Sequence, residues 1–279
     1  MKVLTFDIED WYNCDFLNLD SNWDKYDVRI YDGVNRILEE LENNNLRGTF
    51  FCLGWIAEKH PDVIRDIQRC GHQIGCHSYQ HQLSYKFTKS EFIKDTYKAK
   101  SLLEDITGNS VNSFRAPGFS ITKENTDYFE LLVEMGFSYD ASIFPGSHDY
   151  GGITGLNINS PFMIKTKSGL IKEFPMTTKV ILNKNLVFSG GGFFRLYPYY
   201  LIKRFTNDSQ YLMTYFHPRD FDPEQPILKN LSAIRKFKSY YGLKNAFPKF
   251  QKYLSDFDFL NIEEADELIN WDQAMIINF

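Results

Sequence analysis

The chain has 279 residues, of which 43% are hydrophobic and 24% charged, the profile of a folded globular protein large enough for one α/β domain with a substantial core. Its net charge of −5, with no basic run to serve as a phosphate track, argues against nucleic acid as a partner. No apolar run approaches the roughly 18 residues needed to cross a bilayer, so no membrane span is expected.

In chain order, residues 3–6 form a short apolar strand that runs into Asp7, Glu9 and Asp10. That start lacks the long apolar core of a signal peptide, and a cytoplasmic location is expected. Val34, Ile37, Leu38 and Leu41 recur at helical spacing, and the Asn run at 43–45 ends that helix. A second strand covers 49–53, and Pro61 opens a helix with Val63, Ile64 and Ile67 on its inner face. Gly71 stops it, and a third strand at 73–76 delivers His77. Thr88 and Glu91 make a capping box for a long helix that ends at Gly108, with Phe92, Ile93, Ala99, Leu102, Leu103 and Ile106 facing inward. A fourth strand at 112–114 delivers Arg115, a helix is predicted over 123–134, and a strand over 138–142.

Beyond Pro145 the pattern loosens. A glycine-rich loop spans 148–155, sheet is expected at 170–174 and 180–182, and 189–192 is a tight turn. Residues 211–216 form the last strong strand and carry His217. Helices follow from about 228, with a final strand at 257–260. The alternation of strand and helix predicts a parallel sheet with crossover helices in a single domain over 1–279. Candidate site residues fall just past strand ends, where barrel enzymes place their chemistry.

The most informative stretch is His77-Ser78-Tyr79-Gln80-His81. Two imidazoles four residues apart are about one helical turn from each other, so a local turn can aim both at one cation. Asp7 and Glu9 share a face by strand alternation, with Asp10 opposite. A carboxylate added to two histidines completes a facial set that leaves room for substrate and water. Cys14, Cys52, Cys70 and Cys76 contain no C-x-x-C pair and read as thiols of a reducing compartment. Cys76, by alternation, points away from His77. His72 is expected to be a packed, hydrogen-bonded histidine. Gly190-Gly191-Gly192 lacks the Lys-Ser/Thr of a phosphate loop and reads as a flexible turn. Trp11 and Trp55 are expected to pack at the core or rim, with sugar stacking as the alternative for Trp11.

Six segments in order, TFDIEDW (5–11), RGTFFCLGWIAEKHP (47–61), GHQIGCHSYQHQ (71–82), FRAPGFS (114–120), GFSYDASIFP (136–145) and YFHPRDFDPEQP (215–226), make the chain resemble the polysaccharide deacetylases of carbohydrate esterase family four. The likeness is to the branch of allantoinase-like and peptidoglycan deacetylases linked to exopolysaccharide and O-antigen loci. It implies a distorted, seven-stranded (β/α) barrel with an extra β-hairpin and C-terminal helices, the extension from about 218 packing on the barrel. It also implies a metal-dependent N-deacetylase acting on an N-acetylated sugar or glycan intermediate of surface polysaccharide synthesis. By that likeness His77 and His81 bind metal, Asp7 is the base, Arg115 fixes the base, and His217 is the general acid for the leaving amine. The metal carboxylate is Glu9 or Asp10, with Glu9 preferred, and Asp140 stands where the family's fourth motif is degenerate. Imidazole and carboxylate donors suit zinc, with cobalt, nickel or iron as alternatives. Two rivals share these residues: a small-molecule amide or ureide hydrolase, and a catalytically silent carbohydrate-binding protein.

Overall fold

The computed structural model describes residues 1–13, 22–146, 149–156, 158–181 and 184–279; Cys14, His148 and Leu182 lie outside them. Its strands are β1 (Lys2–Val3), β2 (Thr5–Ile8), β3 (Thr49–Cys52), β4 (Gln73–Cys76), β5 (Ser113–Phe114), β6 (Tyr139–Asp140), β7 (Phe162–Lys165), β8 (Leu170–Glu173), β9 (Lys179–Ile181), β10 (Lys184–Leu186), β11 (Leu212–Met213) and β12 (Ile276–Ile277). The main sheet runs β12-β7-β8-β6-β5-β4-β3-β2. Its pairs are parallel from β2 through β8, so these strands end on one side. Past β2 the sheet continues through a parallel bridge from Phe6 to Phe216 and a parallel pairing of β1 with β11. No ladder joins β8 to β11 among the described residues. Side chains cross that seam instead: Met213 N–H donates to Thr177 Oγ1 at 2.9 Å and Tyr211 O–H to the Pro175 carbonyl at 2.9 Å. The result is a mainly parallel α/β fold of the distorted barrel kind, extended by antiparallel β7 and the β9–β10 hairpin.

The sequence accounts for most of the packing around it. Helix α1 (Ile30–Asn43) buries Ile30, Val34, Ile37, Leu38 and Leu41, all on one stripe. Helices α2 (Gly54–Lys59) and α3 (Pro61–Arg69) follow β3, and α3 starts on its proline. Helix α4 (Lys89–Thr107) carries the Thr88–Glu91 capping box and ends at Gly108, whose φ of 67° a glycine takes without strain. Its inner face differs from expectation, because Ile93 is exposed while Asp95, Thr96 and Lys100 are buried. Helix α5 (Tyr128–Glu134) is shorter than predicted. The Asn125 side chain takes the Thr122 N–H at 2.7 Å and holds the preceding residues in a turn.

Helices α6 (Gly191–Leu196), α7 (Tyr199–Asn207), α8 (Ala233–Tyr240), α9 (Leu243–Asp256) and α10 (Ile262–Glu267) complete the chain. The expected strand at 257–260 is reduced to one bridge, Val3 to Leu260. The chain's last strand is β12, which the sequence reading missed along with β7.

Candidate active site

Six side chains of interest leave the sheet on its carboxyl-end side: Asp7 on β2, Glu9 just past it, His77 after β4, Arg115 after β5, and Asp140 and Glu173 at the ends of β6 and β8. His217 follows the strand segment paired with β2.

Glu9, His77 and His81 form a buried cluster whose potential ligand atoms all lie within 4.8 Å of one another. Glu9 Oε2 stands 2.7 Å from His81 Nε2. His77 uses Nδ1 to donate to the Arg115 carbonyl at 2.7 Å, which leaves Nε2 as its lone-pair nitrogen and fixes the ring. Burial pushes the His77 pKa down to about 4, against the pull of Asp7, so the ring is neutral near pH 7. Burial raises the Glu9 carboxyl, but His81, His217 and His77 together outweigh it and hold the group below the usual carboxylate range. Two imidazole nitrogens and a carboxylate in a dry pocket fit a divalent transition ion.

The loop that carries the two histidines is not a helical turn. Ser78 and His81 both have left-handed φ, 62° and 54°, a conformation costing about 1–3 kcal/mol each. Neighbours hold it there. The buried Asp95 carboxylate of α4 accepts the Tyr79 N–H at 2.8 Å and the Gln80 N–H at 3.3 Å. Gly54 and Trp55 N–H donate to the Ser78 and Tyr79 carbonyls at 2.8 and 3.0 Å. Asp95 is thus one of the residues that sequence reasoning missed. Its only signal was a charge on the inner side of an amphipathic helix.

Asp7 meets the fully buried Arg115, whose guanidinium donates to Asp7 Oδ1 at 2.7 Å, Thr5 Oγ1 at 2.8 Å and the Ala141 carbonyl at 3.1 Å. The Phe51 ring lies 4.3 Å from it. Arg115 therefore fixes one oxygen of Asp7 and leaves Oδ2 toward the cleft, 3.8 Å from His217 Nε2. The same nitrogen is 3.8 Å from Glu9 Oε1. The His217 side chain is 20% exposed.

Asp10 is not part of the cluster. Its Oδ2 accepts the Arg29 and Ile30 N–H groups at 2.8 and 2.9 Å, and Oδ1 accepts the Trp11 N–H at 2.7 Å. It sits on the N-terminus of α1, where backbone donors and the helix dipole favour a carboxylate. That corrects its place as an alternative ligand: the strand has ended at Ile8, and Asp10 faces the helix, leaving Glu9 as the carboxylate beside the histidines.

His217 is oriented by a partner that the sequence reading did not name. Asp220 Oδ2 lies 3.0 Å from His217 Nδ1 and accepts the His217 backbone N–H at 3.0 Å. Asp220 is in turn 3.2 Å from Arg195 Nε of α6. Burial opposes a charge on His217, but the Asp220 bond and charge, with Glu9 and Asp7, raise its pKa above the ordinary value. The signal was available: an acid three residues after His217 across a proline is a capping spacing. Asp140 serves elsewhere. It accepts the Ser142 N–H and O–H at 2.9 and 2.7 Å and faces Glu173 across the β6–β8 register. Both carboxyls are buried, and burial pushes both upward, Glu173 far more. Glu173 therefore holds a proton more readily than Asp140.

Other expectations resolve simply. Cys76 is buried with Sγ turned toward Thr96 of α4. His72 is packed as expected, stacked 4.8 Å from Phe50, yet neither ring nitrogen has a hydrogen-bond partner among the described residues. Trp11 is buried and donates to the Asp27 carbonyl at 3.0 Å, and Trp55 packs edge-on against Tyr12 and Trp23. Gly190 lies against the strand that carries His217; a Cβ there would come within 1.8 Å of the Tyr215 carbonyl oxygen. Close backbone approach, not anion binding, explains the glycines.

The fold and this cluster define an α/β barrel protein with a histidine–histidine–carboxylate pocket at the strand ends. Residues 3–139 match the polysaccharide deacetylase family and 141–267 match a domain of unknown function, DUF3473. The matched N-terminal part is thus similar to the polysaccharide deacetylase domain of carbohydrate esterase family four. It is similar to a peptidoglycan-N-acetylglucosamine deacetylase of Bacillus cereus, 34% identical over 50% of this chain and 61% of that protein. A peptidoglycan deacetylase of Helicobacter pylori is 28% identical over 40% of this chain and 37% of its own. The chain thus spans less than two thirds of the length of these relatives. In structure it resembles a Mycobacterium smegmatis protein assigned to the polysaccharide deacetylases, with a TM-score of 0.66 and 20% identity over 99% of this chain and 92% of the other. A family-four pseudoenzyme from Bacillus anthracis has a TM-score of 0.51 and 15% identity over 95% of this chain and 64% of its own.

Proposed function

We propose that this protein is a metal-dependent N-deacetylase that removes an acetyl group from an amino sugar during surface polysaccharide synthesis. The observation that carries the reading is one cleft in which His217 Nε2 stands 3.8 Å from both Asp7 Oδ2 and Glu9 Oε1, beside the His77–His81 pair. Glu9, His77 and His81 would hold the ion, with zinc first among candidates and cobalt, nickel or iron suiting the same donors. A divalent ion bound there supplies Lewis acidity, which polarises an acyl oxygen and brings the pKa of water toward about 7.

The chain's own groups do the rest. Asp7, pinned at Oδ1 by Arg115, offers Oδ2 to take a proton from the attacking water. His217, protonated at Nε2 and held at Nδ1 by Asp220, hands a proton to the departing nitrogen. A C–O bond forms as the C–N bond breaks, giving acetate and a free amine. Base and acid each contribute on the order of 10²–10⁴ in rate. We propose a nucleotide- or lipid-linked saccharide as the substrate and a cytoplasmic location for the chain.

The test is acetate release from N-acetylated sugars by the metal-loaded chain and by chelator-treated chain. Release that stops on chelation and returns with added ion supports the reading, as does a His217→Ala variant that keeps its ion but loses turnover. Release indifferent to chelation overturns the metal mechanism. Sugar binding without any release identifies a silent binder, and release only from small ureides identifies the amide-hydrolase alternative.

A further inference from the structure

The whole-chain charge of −5 hides a strong asymmetry. Residues 225–255 contain seven Lys or Arg (229, 235, 236, 238, 244, 249 and 252) and no Asp or Glu, leaving 24 basic against 36 acidic residues elsewhere. This acid-free stretch also carries apolar side chains that nothing covers. Ile227 is 69% exposed, Ile234 72%, and Phe237 and Tyr241 49% each. Ile234, Phe237 and Tyr241 follow the i, i+3, i+7 spacing of a single helical face along α8 and its end. The Phe237 and Tyr241 rings pack on each other at 4.7 Å. Tyr240 O–H accepts the Leu228 N–H at 3.0 Å and donates to the Pro226 carbonyl at 3.1 Å, which pins Ile227 beside α8. Ile227, Tyr241 and Lys244 line one groove of about 610 Å³.

Lys238 pairs with Asp149 at 2.8 Å, but exposed aliphatic and aromatic groups interleaved with Lys229, Arg235, Lys236 and Lys244, with no acid in the segment itself, match the chemistry of one partner class. An anionic lipid headgroup layer attracts the lysines while its acyl boundary accepts the apolar tips. A saccharide would use the aromatic rings but gives no reason for two isoleucines about 70% exposed. A polyanion such as nucleic acid would use the lysines and leave the same isoleucines unexplained. We infer that the ridge formed by residues 227–244 docks this protein on the surface of an anionic bilayer. No described helix is long and apolar enough to cross a membrane, so the attachment is peripheral.

Docking would hold the candidate site at a defined place. Arg195 donates to the carbonyls of Lys238, Ser239 and Tyr241 at the end of α8, at 3.0, 2.9 and 3.2 Å, and also pairs with Asp220, the partner of His217. The ridge is therefore rigidly tied to the wall that carries His217.

The experiment is sedimentation of the full chain with vesicles of phosphatidylcholine alone or with 30% phosphatidylglycerol. Binding is expected only to the anionic vesicles and should weaken with salt. Each Lys near such a surface is worth about 1 kcal/mol, roughly fivefold, so Lys229→Gln with Lys244→Gln should weaken binding about 25-fold. Ile234→Asp should weaken it at least tenfold with an unchanged circular dichroism spectrum. No binding to anionic vesicles, or equal binding by these variants, overturns the inference. So does an affinity for heparin that matches the vesicle affinity and ignores Ile234→Asp, which would mark a plain polyanion site. A dimer in solution that Ile234→Asp dissolves, with no vesicle binding, would assign the ridge to a second copy of the chain.

Discussion

Replacing Asp220 with Asn isolates what orients and charges His217. The carboxylate makes a 3.0 Å contact with Nδ1 and accepts the backbone N–H of the same residue. Unit charges at about 4 Å interact by roughly 4 kcal/mol at an effective dielectric near 20. The His217 side chain is 20% exposed, and solvent screening brings the usable figure to about 1.5–3 kcal/mol, that of a hydrogen bond to a charged group. At 1.36 kcal/mol per unit, that is roughly one to two pKa units. His217 has a raised pKa, so it keeps its proton to higher pH than a free imidazole; without the carboxylate the proton is lost earlier. The alkaline limb of kcat/KM for acetate release should therefore move down by about one to two units. Activity at pH 8 should fall about 10- to 100-fold while metal content stays at the wild-type value. A profile and rate that do not move would refute the role given to Asp220.

Two other substitutions separate structural carboxylates from chemical ones. Glu173→Gln keeps a donor toward Asp140 and should leave stability to chemical denaturation within about 1 kcal/mol, whereas Glu173→Ala strands a buried charge and should cost about 3–5 kcal/mol. Equal losses from the two would show that Glu173 is ionised. Asp10→Ala removes an acceptor from three backbone N–H groups and should lower stability by about 1–2 kcal/mol, read by urea titration. No loss of stability would mean that the cap is idle.

Much of this arrangement was legible in the residues. Strand β4 delivering His77, the Thr88 capping box and the outward turn of Cys76 follow from strand pattern, capping and alternation, whereas the Asp7–Arg115 pairing came from the family resemblance. What escaped had physical causes. Strand β12 is two residues long, too short for periodicity to declare. Ile93 was placed inside because an apolar count ignores function: Asp95 takes an inner position to hold the histidine loop, and the buried Lys100 bonds the Val111 carbonyl. The histidine loop itself looked like a helical turn, but two left-handed residues give it another path. Arg195 lies 25 positions before Asp220, a separation that no local pattern reports. Summing charge over the whole chain concealed the acid-free stretch at 225–255.

The central claim is that Glu9, His77 and His81 share one ion. Calorimetric titration of zinc into chelator-stripped chain tests it directly, with wild type compared against Glu9→Ala, His77→Ala and Asp10→Ala. The account predicts one tight equivalent for wild type and Asp10→Ala, and at least a hundredfold weaker binding for the other two. Undiminished binding by His77→Ala, or loss of the site in Asp10→Ala but not Glu9→Ala, would contradict it.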